Sequence, residues 1–141
     1  MNAIKILLVE DSLGDARLTI EALKENKVLN HLDHVSDGVE AMDYLYQRDK
    51  YIDADRPDLI LLDLNMPKMD GREVLSKIKQ DEQLKSIPVV ILTTSQADED
   101  VAKSYELNAN CFITKPVDLD QFLEVIISIK NFWLTVVKYP N

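Results

Sequence analysis

The chain of 141 residues is long enough for one ordinary domain, and 46% hydrophobic with 29% charged residues allows a packed core under a solvated surface. A net charge of -9 argues against a nucleic-acid binder, which needs a basic face to meet phosphates. Two histidines and one cysteine exclude a soft-metal cluster and an internal disulfide, and no apolar run approaches the roughly 18 residues of a membrane helix.

Ile4 to Val9 is an apolar run with one lysine, ending in Glu10-Asp11, and predicts a buried strand with two acids at its carboxyl end. From Leu13 to Glu25 the spacing of Leu13, Ala16, Ile20 and Leu23 predicts an amphipathic helix. Leu32 to Val35 is a weaker strand, followed by Ser36-Asp37-Gly38 as turn and N-cap and by a helical stripe of Val39, Met42, Leu45 and Tyr46. Residues 48–57 are polar, end in Pro57 and read as a loop.

Leu59 to Leu62 is continuously apolar, as in a strand covered on both faces, and it ends at Asp63 before the turn chemistry of Met66-Pro67 and Asp70-Gly71. Val74, Leu75 and Ile78 mark a third helix. Pro88 opens the β-branched run Val89 to Leu92, which ends in Thr93-Thr94-Ser95, hydroxyls able to cap a helix over 97–107. Cys111 to Thr114 gives a last strand ending at Lys115-Pro116, and Asp118 can cap a long final helix from about Leu119.

Strand and helix thus alternate along the chain, the pattern of an α/β fold with a parallel sheet, right-handed crossovers and helices on both faces. Parallel strands share one carboxyl edge, where such sheets bind ligands. Glu10, Asp11, Asp63, Thr93 and Lys115 all fall at that edge. Each is ordinary alone, since strand ends are often acidic, a threonine often caps a helix and a loop lysine is usually solvated. Together, converging carboxylates would repel one another unless a hard divalent cation such as Mg²⁺ or the Lys115 ammonium compensates them. An added phosphoryl group would meet that amine and the Thr93 hydroxyl, and its transfer is mostly a matter of positioning and charge compensation.

The motifs Val9-Glu10-Asp11, Leu62-Asp63-Leu64-Asn65-Met66-Pro67-Lys68-Met69-Asp70-Gly71, Leu92-Thr93 and Thr114-Lys115-Pro116 resemble those of the response-regulator receiver domains of two-component signalling. The resemblance covers about residues 4 to 130. It implies a flavodoxin-like sheet of five strands in the order 2-1-3-4-5 with five helices, and a domain over 1–141 whose residues 131–141 extend the last helix as a tail. It makes Asp63 the phosphoryl acceptor from a sensor histidine kinase. Asp11 and Asp63, with Glu10 through water and Asn65 through its backbone carbonyl, become the Mg²⁺ site. Thr93 and Lys115 sense the phosphoryl group, Phe112 is the switch aromatic, and the Lys115-Pro116 bond is expected to be cis. By periodicity alone Phe112 would be an ordinary core side chain. Residues Val9 to Thr19 and the polar insert before Arg56-Pro57 are similar to a branch of stand-alone regulators partnered with phytochromes, so a phytochrome-type kinase is expected. A cytoplasmic location follows from the single cysteine and the lack of a signal-peptide pattern.

The bland assignments win elsewhere. His31 and His34 have no third ligand, Cys111 reads as structural, and Asp98-Glu99-Asp100 suits a first helical turn. The final helix is different, because it carries two apolar stripes where one sheet contact needs one. Phe132, Trp133, Val136 and Tyr139 on its far part predict a homodimer, since large apolar patches usually mark interfaces. Three other functions are weighed and set aside. An aspartyl-phosphate phosphatase would need a general acid at Asn65, and three glycines form neither a Walker loop nor a dinucleotide fingerprint. A degenerate, binding-only receiver conflicts with the intact acid, hydroxyl and amine set. The expected role is a phosphorylation-switched signalling module rather than an enzyme.

Overall fold

The computed structural model describes residues 4–24, 29–64, 69–94, 111–118 and 120–125. Its elements run β1 (Ile4–Val9), α1 (Leu13–Lys24), β2 (Leu29–Val35), α2 (Gly38–Leu45), a 3-10 turn (Asp49–Tyr51), β3 (Leu59–Asp63), α3 (Gly71–Gln80), β4 (Val89–Thr93) and β5 (Cys111–Thr114). Residues 120–125 are helical again. The five strands form one parallel sheet in the order β2-β1-β3-β4-β5, as expected. Of the five expected helices, three and the start of the last lie among the described residues. The helix over 97–107 and the chain beyond 125 lie outside them.

Alternation along each strand divides the core into two layers. Leu7, Val9, Ile60, Leu62, Val89 and Ile91 pack with Met42, Leu45, Val74, Leu75 and Ile78 of α2 and α3. Ile6, Leu8, Leu59, Leu61, Val90 and Leu92 face the other way, onto Ala16 and Leu23 of α1 and onto Phe122. Every residue of β3 and β4 is buried, which explains why these strands read as unbroken apolar runs. Helix starts follow the local chemistry. Asp37 accepts from the Glu40 amide, and Asp70 from those of Arg72 and Glu73. Asp118 accepts from the Asp120 amide through its side chain and from that of Phe122 through its carbonyl.

Three expectations need correction. Leu13 and Val39, whose spacing predicts places on apolar stripes, are 72% and 45% exposed. Both lie in the first turn of a helix that begins just past a strand's carboxyl end, and on α1 Thr19 is buried beside Ala16 and Leu23. β2 starts at Leu29 rather than Leu32 because pairing with β1 continues through His31, and an edge strand tolerates polar side chains there. The segment 48–57 is also more than a loop. Tyr51 packs tilted against Tyr44 with ring centroids 5.2 Å apart, its hydroxyl donates to Glu40, and Arg56 donates to the Leu45 carbonyl at 3.3 Å.

Candidate functional site

Sheet register builds the site. Val9 pairs with Leu62, Asp63 with Leu92 and Thr93 with Thr114, so four strand ends stop at nearly one level. The Lys115 amide donates to the Thr93 carbonyl at 2.7 Å and carries that alignment one residue past β5. The Lys115-Pro116 bond is cis, as the resemblance implied.

One carboxylate oxygen from each of Glu10, Asp11 and Asp63 lies within 4.8 Å of the others. Glu10 and Asp63 are buried and Asp11 is exposed, so the cluster opens to solvent on one side. An all-oxygen set with one open side fits a hard divalent cation. Asn65 lies outside the described residues, so its expected carbonyl contact is not part of this geometry.

Glu10 is held at both oxygens. Oε1 accepts from Lys115 Nζ at 2.9 Å and Oε2 from the Ser12 amide at 3.2 Å, while its backbone oxygen lies 2.8 Å from His34 Nε2. His34 thus serves the backbone of an acid rather than a metal, and His31 lies 3.3 Å from Asp33. Lys115 Nζ also lies 3.1 Å from Asp15 Oδ2 and 3.6 Å from Asp63 Oδ2. Burial disfavours its charge, but the bonds to Glu10 and Asp15 and the field of Asp63 outweigh that, holding its pKa above the ordinary lysine value. It is a cation at any physiological pH.

Thr93 Oγ1 is buried and has no hydrogen-bond partner among the described residues. Buried hydroxyls are nearly always paired, so such an orphan fits a group that bonds only in another state. Phe112 pairs with Ile91, two residues before Thr93, and packs half-buried against the α2–α3 layer. By the two-residue strand period it shares a sheet face with Thr93.

Sequence reasoning missed two contributions. Asp15 joins the site through Lys115, and its only signal was an acid one helical turn beyond Asp11. Gly71 and Gly38 carry turn chemistry in the sequence, yet each also allows a close backbone approach. A Cβ at Gly71 would strike the Asp63 carbonyl and lie 2.5 Å from Leu64 Cα, and one at Gly38 would collide with Met69. The Gly71 amide donates to the Leu64 carbonyl at 2.9 Å, tying the start of α3 to the residue after Asp63. The four expected dimer residues, Phe132, Trp133, Val136 and Tyr139, lie outside the described residues.

Among the described residues no helix is long and apolar enough to cross a membrane. Residues 6–127 match the family of the response regulator receiver domain. Response regulator Rcp1 of Synechocystis sp. is 50% identical over 96% of this chain and 92% of its own length. Its Mn²⁺-bound structure superposes with a TM-score of 0.73 at 49% identity, covering 98% of this chain and 99% of that one. The bacteriophytochrome response regulator AtBRR gives a TM-score of 0.86 at 41% identity, over 94% of this chain and 96% of its own. The phosphorylated cyanobacterial phytochrome response regulator RcpA gives 0.76 at 50%, over 99% and 100%. With a family match along most of its length and a relative half identical over nearly all of it, this chain belongs to the response regulator receiver domains.

Proposed function

We propose that this protein is a single-domain response regulator whose Asp63 accepts a phosphoryl group from a sensor histidine kinase. The observation that carries the reading is the grouping of the Glu10, Asp11 and Asp63 carboxylates within 4.8 Å, with the Lys115 ammonium 3.6 Å from Asp63. An Asp63 oxygen attacks phosphorus of a phosphohistidine, the P–N bond breaks, and the imidazole nitrogen keeps the electron pair. The product is an acyl phosphate, which water later hydrolyses to phosphate and the free carboxylate. Glu10, Asp11 and Asp63, completed by the Asn65 carbonyl, are suited to Mg²⁺, which when bound supplies positive charge against the phosphoryl oxygens. Lys115 donates to one of those oxygens and Thr93 Oγ1 to another, so the orphaned hydroxyl gains a bond only after transfer. Phe112, on the same face, follows Thr93 inward as the switch. The protein acts as a signalling part and not as a turnover enzyme.

The partner we propose is a phytochrome-type kinase, supported by likeness to AtBRR and RcpA, whose names carry phytochrome partnership. An acidic, cytoplasmic protein that assembles as a homodimer through Phe132, Trp133, Val136 and Tyr139, with no nucleic-acid or membrane partner, completes the reading.

Intact-mass analysis after acetyl phosphate and Mg²⁺ tests the acceptor. Wild type gains one phosphoryl mass, lost with EDTA, and Asp63→Asn gains none. Undiminished label on Asp63→Asn sinks the assignment.

A further inference from the structure

Three carboxylates compete for the Lys115 ammonium, and the geometry divides them unequally. Glu10 at 2.9 Å and Asp15 at 3.1 Å are within hydrogen-bond reach, whereas Asp63 at 3.6 Å is not. The lysine thus leans toward α1 and away from the proposed acceptor. The two bonded acids also differ. Glu10 is fully buried and anchored at its second oxygen by the Ser12 amide, so it cannot leave without orphaning a charge. Asp15 stands in the first turn of α1, with its amide held by Ser12 Oγ at 3.2 Å and its side chain 43% exposed. Water can replace Lys115 at Asp15, so that contact is the cheaper one to break.

We propose that Asp15 is a positioning residue, a latch that holds Lys115 toward α1 while Asp63 is unphosphorylated and releases it when a phosphoryl oxygen becomes available. The inference rests on Asp63 being the phosphoryl acceptor. A phosphoryl group brings nearly two negative charges and three strong acceptor oxygens. An ammonium has three donors and can keep Glu10 while turning to the phosphoryl group, at the expense of Asp15. Whatever Asp15 contributes is subtracted from the hold of Lys115 on the phosphoryl group. Its release also leaves an unpaired carboxylate in the groove formed by Asp15, Leu18, Thr19, Thr94, Lys115 and Pro116, turning an event at Asp63 into a charge change on α1.

The test uses the full chain, Mg²⁺ and beryllofluoride as a phosphoryl analogue, so that binding is read at equilibrium and no helix-docking donor is involved. Asp15→Asn should tighten the apparent affinity about two- to fivefold, the range of a partly exposed ion pair. Asp15→Glu should return most of the wild-type value, and Asp15→Asn in a Lys115→Met background should change it less than half as much. The side-chain carboxyl ¹³C resonance of Asp15 should also shift when the analogue binds to wild type. An unchanged affinity in Asp15→Asn, an equal change in both backgrounds, or a stationary Asp15 resonance overturns the latch. Wild type that takes no analogue, or Asp63→Asn that takes it equally well, strikes the acceptor reading instead.

Discussion

Thr93 carries a buried hydroxyl that forfeits hydration and gains no bond among the described residues. Thr93→Val should therefore raise the free energy of unfolding by about 1 kcal/mol in urea denaturation. The same variant should lose the amide-spectrum changes that acetyl phosphate induces around Phe112. Destabilisation by that amount would mean that the hydroxyl is already satisfied, which removes it from the switch. Glu10, Asp11, Asp63, Thr93 and Lys115 were all legible in the sequence, because each ends a strand-like run and parallel strands align their ends. Asp15 was not, since an acid in a first helical turn suits the helix dipole of any protein, and its cation comes from 100 positions away. The close approaches at Gly38 and Gly71 were equally hidden, because a turn glycine and a contact glycine look alike in one chain.

Among the elements, the link between α2 and β3 departs furthest from its polar sequence. Positive φ at Gln47 and Asp49 folds it back so that Tyr51 reaches Tyr44, and Gln47 Nε2 donates to the Ala54 carbonyl at 2.6 Å. No residue pattern encodes those two angles, so only the loop's existence could be read. Strands β3 and β4 were legible because burial on both faces writes itself as an apolar run, whereas the polar edge strand β2 reads three residues short in the sequence. Tyr44 donates to Asp33 at 2.6 Å, and burial followed by that bond raises its pKa, while Tyr51 is raised by burial and its bond to Glu40. Both phenols are thus favoured in the neutral form by folding. Their contribution is fully present below the unfolded value of about 10 and is lost as pH rises through the folded values. Absorbance at 295 nm should show Tyr44 and Tyr51 still protonated in folded protein at pH 10.5, whereas in urea all five tyrosines titrate together near 10. Removing one by Tyr51→Phe should take away one late step. Simultaneous ionisation in the folded protein would mean that the link is not packed as described.

At the scale of the whole molecule, the two faces of the core were readable from the sequence and the strand order from the family resemblance, while the expected homodimer rests on residues outside the described ones. Phe132, Trp133, Val136 and Tyr139 would be costly in water, at roughly 25 cal/mol per Å² of apolar surface. Sedimentation of wild type should give a dimer at micromolar concentration, and Phe132→Asp/Val136→Asp a folded monomer. A monomeric wild type would mean that the tail covers its own domain. The ion pair between Glu10 and Lys115 spans 105 positions, with four of the five strands between its partners in the chain. During synthesis the first acid therefore leaves the ribosome long before the amine that completes its pocket. A copy that lacks β5 keeps the acids of that pocket but not the amine that compensates them. Charge balance among the acids is thus set by the last strand to join the sheet.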